Sequence, residues 1–209
     1  LVIGDEQWPF PVPLVKVGDG WQFDSDAGKD EVLSRRIGRN ELRVIDLCRA
    51  YVGMQEEYAR QPRDGKPAGR YAQKLRSTPG RQDGLYWSAG PKEPPSPLGD
   101  LAAQAAEEGY DTHNSSSQPL WGYRFRVLTA QGPAAKGGAR NYVANGEMTG
   151  GFGLIAWPSE YGRSGVMTFV VNQDGVVYQK DLGEGTAAAV AGLTAYDPDG
   201  TWSEVKEPS

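Results

Sequence analysis

The chain has 209 residues, enough to bury a core as one domain or slightly more, and a formal net charge of −5, which is ordinary solubilising charge. Its 28 glycines and 15 prolines favour a turn-rich protein of short strands over a helical bundle. No basic stripe of the kind that tracks a phosphate backbone is visible, which argues against nucleic acid, and no apolar run approaches the roughly 18 residues needed to span a bilayer.

Residues 1–24 read as two strands. WPFPVP at 8–13 cannot donate a regular ladder of hydrogen bonds, so it is an edge or an extended lead-in. Leu14–Val17 and Trp21–Asp24 flank the turn Gly18-Asp19-Gly20. Such a hairpin buries too little to stand alone, so it docks on the rest of the chain or ends a further region upstream. The chain opens at Leu1, without Met and inside a strand-like run, so residues are expected to precede it. The expected division is a hairpin over 1–25, as the tail of an upstream region, and a helix-on-sheet domain over 26–209.

Residues 26–61 carry the longest helical pattern. Asp26 is placed to cap it, with acidic residues in the first turn. Gly38 is a point where it breaks or kinks, and Asn40 a cap for a second segment. Val44, Ile45, Cys48, Tyr51 and Val52 form the apolar stripe, and Gln61-Pro62 ends the helix. Cys48 is the one cysteine, which excludes an intrachain disulfide and a cysteine zinc cluster; it reads as a small buried hydrophobe. Residues 62–118 are loop-rich, with a turn at 63–67, one or two helical turns over Arg70–Arg76 and a polyproline-like stretch at 91–97. An alanine-rich helix runs from Leu98 to Glu108.

The sheet pattern begins at Trp121. Trp121, Tyr123, Phe125, Val127 and Thr129 alternate with Arg124, Arg126 and Leu128, a half-buried strand. Phe152–Trp157, Val166–Val171 and Val176–Asp181 come next, the last two paired across the Asp174-Gly175 corner. Thr186–Thr194 is an alanine-rich helix, 197–200 a turn, and Trp202 tucks back onto the fold. The expected class is α+β: a long helix in the N-terminal half packed on an antiparallel meander sheet, with a short C-terminal helix.

Longer motifs carry a resemblance. QGPAA (131–135), GGF (150–152), AWPSEYG (156–162), SGVMTF (164–169) and VNQDGVVYQKDLG (171–183) resemble the bacterial family called domain of unknown function 2950. WPFPVPLVK (8–16), RRIGRNEL (35–42), CRAYV (48–52), STPGRQDGLYW (77–87) and PPSPLG (94–99) extend the resemblance over essentially the whole chain. It implies a secreted or periplasmic bacterial protein with an upstream part, and no established activity. Family members often carry a histidine before the glycine of the GYxF strand, where Trp121 stands here. The layout also resembles pilins and pseudopilins, in which a helix near the start packs across an antiparallel meander. It departs from them in the charged stretch SDAGKDEVLSRRIGRN, where a pilin has an apolar anchor.

Chemistry-bearing residues are sparse. His113, the only histidine, stands between Asp111 and Ser115–Ser117. Nucleophilic catalysis needs a serine held rigidly beside its base, which a polar loop does not supply, so no catalytic residue is assigned. Asp64-Gly65 in RDGKPAG offers one carboxylate where Ca²⁺ takes several oxygens, so neither a metal nor another cofactor is expected. Gly137-Gly138 and Gly150–Gly153 lead into strands and are not phosphate loops. The candidate ligand-binding residues are Arg140 and Asn141 before the second strand, and Trp157, Glu160, Tyr161 and Arg163 at its end and beyond. These loops lie at opposite ends of the strand or fold over one face; beside Trp157 and Tyr142 they suit a peptide or glycan, against the plainer reading that they cap strand ends and bond loop backbone. The expected function is an extracytoplasmic, non-enzymatic structural or interaction module, partnered by a cell-envelope protein or glycan. The alternatives are an envelope hydrolase working through carboxylates such as Glu160 and Asp181, and a glycan or peptide binder using Trp157 and Tyr161.

Overall fold

The computed structural model of the protein describes residues 1–5, 7–90, 93–107 and 119–206. Two small antiparallel ribbons open it: β1 (Val2–Ile3) with β2 (Trp8–Pro9), and β3 (Leu14–Val17) with β4 (Gly20–Phe23). They lean on the outer half of helix α1 (Ser25–Ala59). Val12 fills the space over Gly28, where a Cβ would meet its methyls at 2.8 Å, and Arg35 donates to the Pro9 carbonyl at 2.6 Å. Among the described residues, every exposed large hydrophobic lies within 1–42, while the apolar stripe of α1 is buried from Val44 onward. The ribbons and the outer helix half therefore add little to the core.

Helix α1 departs from expectation in two ways. Asp24, rather than Asp26, caps it: its Oδ1 accepts from the Ala27 N–H at 3.0 Å. Gly38 does not break it, and α1 runs on for 35 residues. A single glycine costs a helix only about 1 kcal/mol, which the burial of Val44, Leu47, Cys48 and Tyr51 outweighs. Asn40 caps nothing; its side-chain amide donates to the Ser164 carbonyl at 2.8 Å.

The expected helical turns over 70–76 are absent. Tyr71 N–H donates to Met148 O at 2.8 Å and Tyr86 N–H to Leu75 O at 2.8 Å, so this stretch is extended and satisfied by other loops. Gln55, fully buried on α1, holds it in place. Its Nε2 donates to Ala72 O at 2.9 Å, and Ala72 N–H donates to its Oε1 at 2.8 Å. One glutamine thus imitates a strand partner, and the loop's backbone overrides local helix propensity. Helix α2 (Gly99–Glu107) comes next, inside the alanine-rich stretch.

Then comes the sheet. β5 (Tyr123–Leu128) leads into two short ribbons, β6 (Ala130–Gln131) with β7 (Arg140–Asn141) and β8 (Val143–Ala144) with β9 (Glu147–Met148). β10 (Gly153–Pro158), β11 (Met167–Asn172) and β12 (Tyr178–Asp181) complete the meander, and helix α3 (Thr186–Gly192) precedes a last strand, β13 (Ser203–Glu204). The order is β13-β12-β11-β10-β5, with every neighbouring pair antiparallel. Ala156 at its centre faces Phe125 on one side and Phe169 on the other.

The two-residue period of the strands divides the core. Tyr123, Leu154, Ala156, Phe169 and Val171 join the α1 stripe in one cluster. Leu128, Ile155 and Val170 join Val190 of α3 and Tyr196 in another, with Trp157, Tyr178 and Trp202 packed against it. The strands are therefore covered on both faces, where alternation predicted one wet face. Arg126, read as outward, turns its guanidinium onto the carbonyls of Val190 and Leu193 and so ties α3 down.

Candidate functional site

The sheet axis separates the predicted binding residues. Arg140 and Asn141 lie near the Gly153 end of β10: Gly150 N–H donates to the Tyr142 carbonyl at 2.9 Å. Glu160, Tyr161 and Arg163 come after its Pro158 end. A six-residue strand is about 20 Å long, so the two groups form no common site. Arg140 is engaged locally, donating to Gln131 Oε1 at 3.2 Å, and Asn141 Oδ1 accepts from Val143 N–H at 3.0 Å. Tyr142 is fully buried, and Trp157 is half-buried with the Arg126 guanidinium 5.7 Å from its ring.

The far end of β10 is different. After Pro158 the chain turns tightly through 159–165. Glu160 O accepts from the N–H groups of Arg163 and Ser164 at 3.1 and 2.9 Å, and Gly162 N–H donates to Gly165 O at 2.9 Å. Gly162 is left-handed at φ 72°, a turn that glycine makes without strain. This loop lies against the middle of α1. Arg36 donates to Arg163 O at 3.1 Å and Asn40 to Ser164 O at 2.8 Å. Glu41 anchors the loop's exit: its Oε1 accepts from Val166 N–H at 2.8 Å and Met167 N–H at 2.9 Å. Gly122, at φ 73°, completes the junction; a Cβ there would lie 2.7 Å from Ser164 Cβ and 3.0 Å from Asn40 Nδ2.

Between these segments runs a groove of 710 Å³ lined by Arg36, Arg39, Asn40 and Arg43 of α1, by Pro119 and Gly122, and by Ser159, Glu160, Arg163 and Ser164. Among the described residues, four arginines and one acid line it. That acid, Glu160, pairs loosely with Arg163 at 3.9 Å, both side chains being largely exposed. At one end Arg43 lies 5.8 Å from the Trp121 ring. The Ser159 hydroxyl donates to Gly122 O at 2.9 Å and the Ser164 hydroxyl to Glu160 O at 3.1 Å, so both protons are held by main-chain carbonyls. Neither serine is presented to a base among the described groove residues.

Two of the predicted residues, Glu160 and Arg163, line this groove; Trp157 and Tyr161 do not. Tyr161 instead donates to Asp181 Oδ2 at 3.2 Å, a bond that, with some desolvation, raises its phenol above the ordinary value. The sequence reading took Asn40 for a helix cap and did not place Arg36, Arg39 or Arg43 in a site, since it found no basic stripe. Their signal was spacing: positions 36, 39 and 43 share one helical face, which a count over the whole chain averages away. His113 lies outside the described residues.

The other candidate chemistry resolves as structure. Asp64 accepts from Gln82 N–H through both carboxylate oxygens, at 3.1 and 3.0 Å, and so closes the 64–82 loop. Cys48 is fully buried, which pushes its thiol up to about 12, far from reactive.

A long helix across a five-stranded antiparallel sheet, with an arginine-lined groove where helix and strand loop meet, makes this an α+β fold. A family model described as a protein of unknown function (DUF2950) matches residues 1–205, so the chain belongs to that family. The segments 35–42, 156–162 and 164–169 that carry the sequence resemblance all border the groove. No curated protein and no solved structure matches the chain.

Proposed function

We propose that this protein is a non-enzymatic recognition module of the bacterial cell envelope that binds an anionic ligand in the α1–loop groove. Among the described lining residues, the excess of four arginines over one acid carries the reading. Arginine forks fit oxyanions bidentately, and a preformed loop lowers the cost of ordering on binding. Binding is favoured over hydrolysis because, among the described residues, the Ser159 and Ser164 hydroxyls are committed to carbonyls and Glu160 lies 3.9 Å from an arginine. The resemblance of the sequence motifs supports an extracytoplasmic setting, with an envelope protein or glycan bearing anionic groups as the partner. The pilin-like element of the reading is the layout alone, a helix laid on a meander; among the described residues no helix is long and apolar enough to cross a membrane.

The test is titration with inorganic phosphate and with a hexaglutamate peptide, tracking the arginine side-chain N–H resonances. The Arg36, Arg39 and Arg43 signals should move with at least one anion, and Arg39→Glu should abolish the response. Silence of all three with both anions refutes the reading.

A further inference from the structure

The shape of the groove narrows the class of anion, an inference that rests on the anion-binding reading above. Arg36, Arg39 and Arg43 succeed one another at spacings of three and four on a single face of α1, so they form a row. Seven residues of helix are about 10 Å long. Arg163 stands at the Arg36 end, since its carbonyl accepts from the Arg36 guanidinium at 3.1 Å, while the Arg43 end is marked by Trp121. Positive charge is therefore spread along the groove. One phosphate engages one end of the row; a ligand with linked anionic groups engages both.

The groove's walls also select among polyanions. An acidic peptide bound in extended form needs main-chain partners as well as cations. Here four of the wall carbonyls already accept from the protein itself. Arg163 O accepts from Arg36, Ser164 O from Asn40, Gly122 O from the Ser159 N–H and hydroxyl, and Glu160 O from Arg163 N–H, Ser164 N–H and the Ser164 hydroxyl. What the groove's described lining adds is a row of arginine side chains, each carrying several N–H donors. Its complement is a ligand made almost wholly of acceptors with repeated negative charge. We propose that the groove binds a linear phosphate chain, at least two phosphates joined in one molecule, and that the Arg36–Arg39–Arg43 row reads their spacing.

Two sources share this chemistry: phosphoanhydride chains and phosphodiester-linked polyol polymers. Calorimetry at low salt, with inorganic phosphate, tripolyphosphate, a glycerol phosphate trimer and hexaglutamate as probes, separates them. At least one of the two phosphate chains should bind ten-fold or more tightly than inorganic phosphate, and the tighter one identifies the source. Arg36→Gln and Arg43→Gln, each checked for an unchanged thermal melt, should each cut that preference below about three-fold, because each shortens the row that linked phosphates span. Equal affinity for inorganic phosphate and both chains overturns the proposal and leaves the anion-binding reading standing. So does tighter binding of hexaglutamate, which would make the ligand an acidic peptide. No binding of any probe removes both.

Discussion

Glu41 is the residue on which the groove's geometry depends, and its removal has a calculable cost. One carboxylate oxygen accepts two consecutive backbone N–H groups, from Val166 at 2.8 Å and Met167 at 2.9 Å, where the 159–165 loop becomes β11. The Tyr123 hydroxyl lies 3.3 Å from the same oxygen, but it has one proton and a closer acceptor in Met167 O at 2.9 Å, so it adds little. Hydrogen bonds to a charged group contribute about 1.5–3 kcal/mol each, and the half-buried site lets water recover part of the loss in a truncated variant. Glu41→Ala should therefore destabilise the protein by about 3 kcal/mol, the lower end of two such bonds. For a chain of this size that lowers the melting temperature by about 6–12 °C. Glu41→Gln keeps an acceptor oxygen and loses the charge, so it should cost about half as much. Urea denaturation of the three proteins, with m-values compared, measures this directly. If Glu41→Ala unfolds within about 0.5 kcal/mol of the parent, as exposed substitutions do, the carboxylate does not hold the loop. The groove's preorganisation would then need another source.

Three further outcomes rest on the same kind of contact. Phe169→Ala, at a fully buried ring 5.9 Å from that of Tyr123, should cost about 3–5 kcal/mol in a denaturant melt; a loss under 1 kcal/mol would mean that α1 does not seal this face of the sheet. Burial alone would raise the Asp83 carboxyl, but hydrogen bonds from the Lys74 ammonium and from the Thr78 N–H and hydroxyl outweigh it and hold the group at about 2. A depressed folded value stabilises above the unfolded value of about 3.9, so Asp83→Asn should be less stable than the parent at pH 7, and the gap should close between about pH 4 and pH 2; a gap independent of pH would refute this. Cys48, with its thiol pushed up to about 12 by burial, should resist a disulfide reagent at pH 8 in the native protein and react fully in denaturant; rapid native labelling would show that the stripe of α1 is open.

Much of the fold was legible because local rules agreed with tertiary ones. The apolar stripe Val44, Cys48, Tyr51 has helical spacing and is buried as that spacing requires. The strand runs alternate with a period of two and pair antiparallel across a corner where Asn172 O accepts from Gly175 N–H. In each, the residues that set the backbone also set the buried face. Other features depended on partners remote in sequence. Residues 70–76 have helical composition, yet their N–H and C=O groups are taken by Gln55, Met148 and Tyr86, so they are extended. β13 is two residues long and exists only because Tyr178 and Gln179 offer it an edge. The second covered face of the sheet depends on α3 folding back and on Arg126 holding its carbonyls.

The groove belongs wholly to this second kind. Its arginines on α1 and its loop carbonyls are more than a hundred residues apart: Arg36 meets Arg163, and Asn40 meets Ser164. In sequence, RRIGRN is a charged helical segment that any solvated face would tolerate, and SEYGRS is a turn. Periodicity and turn chemistry determine what each segment becomes alone. Only the docking of α1 across the β10–β11 end, driven by burial of its apolar stripe, decides that four arginines line one cleft.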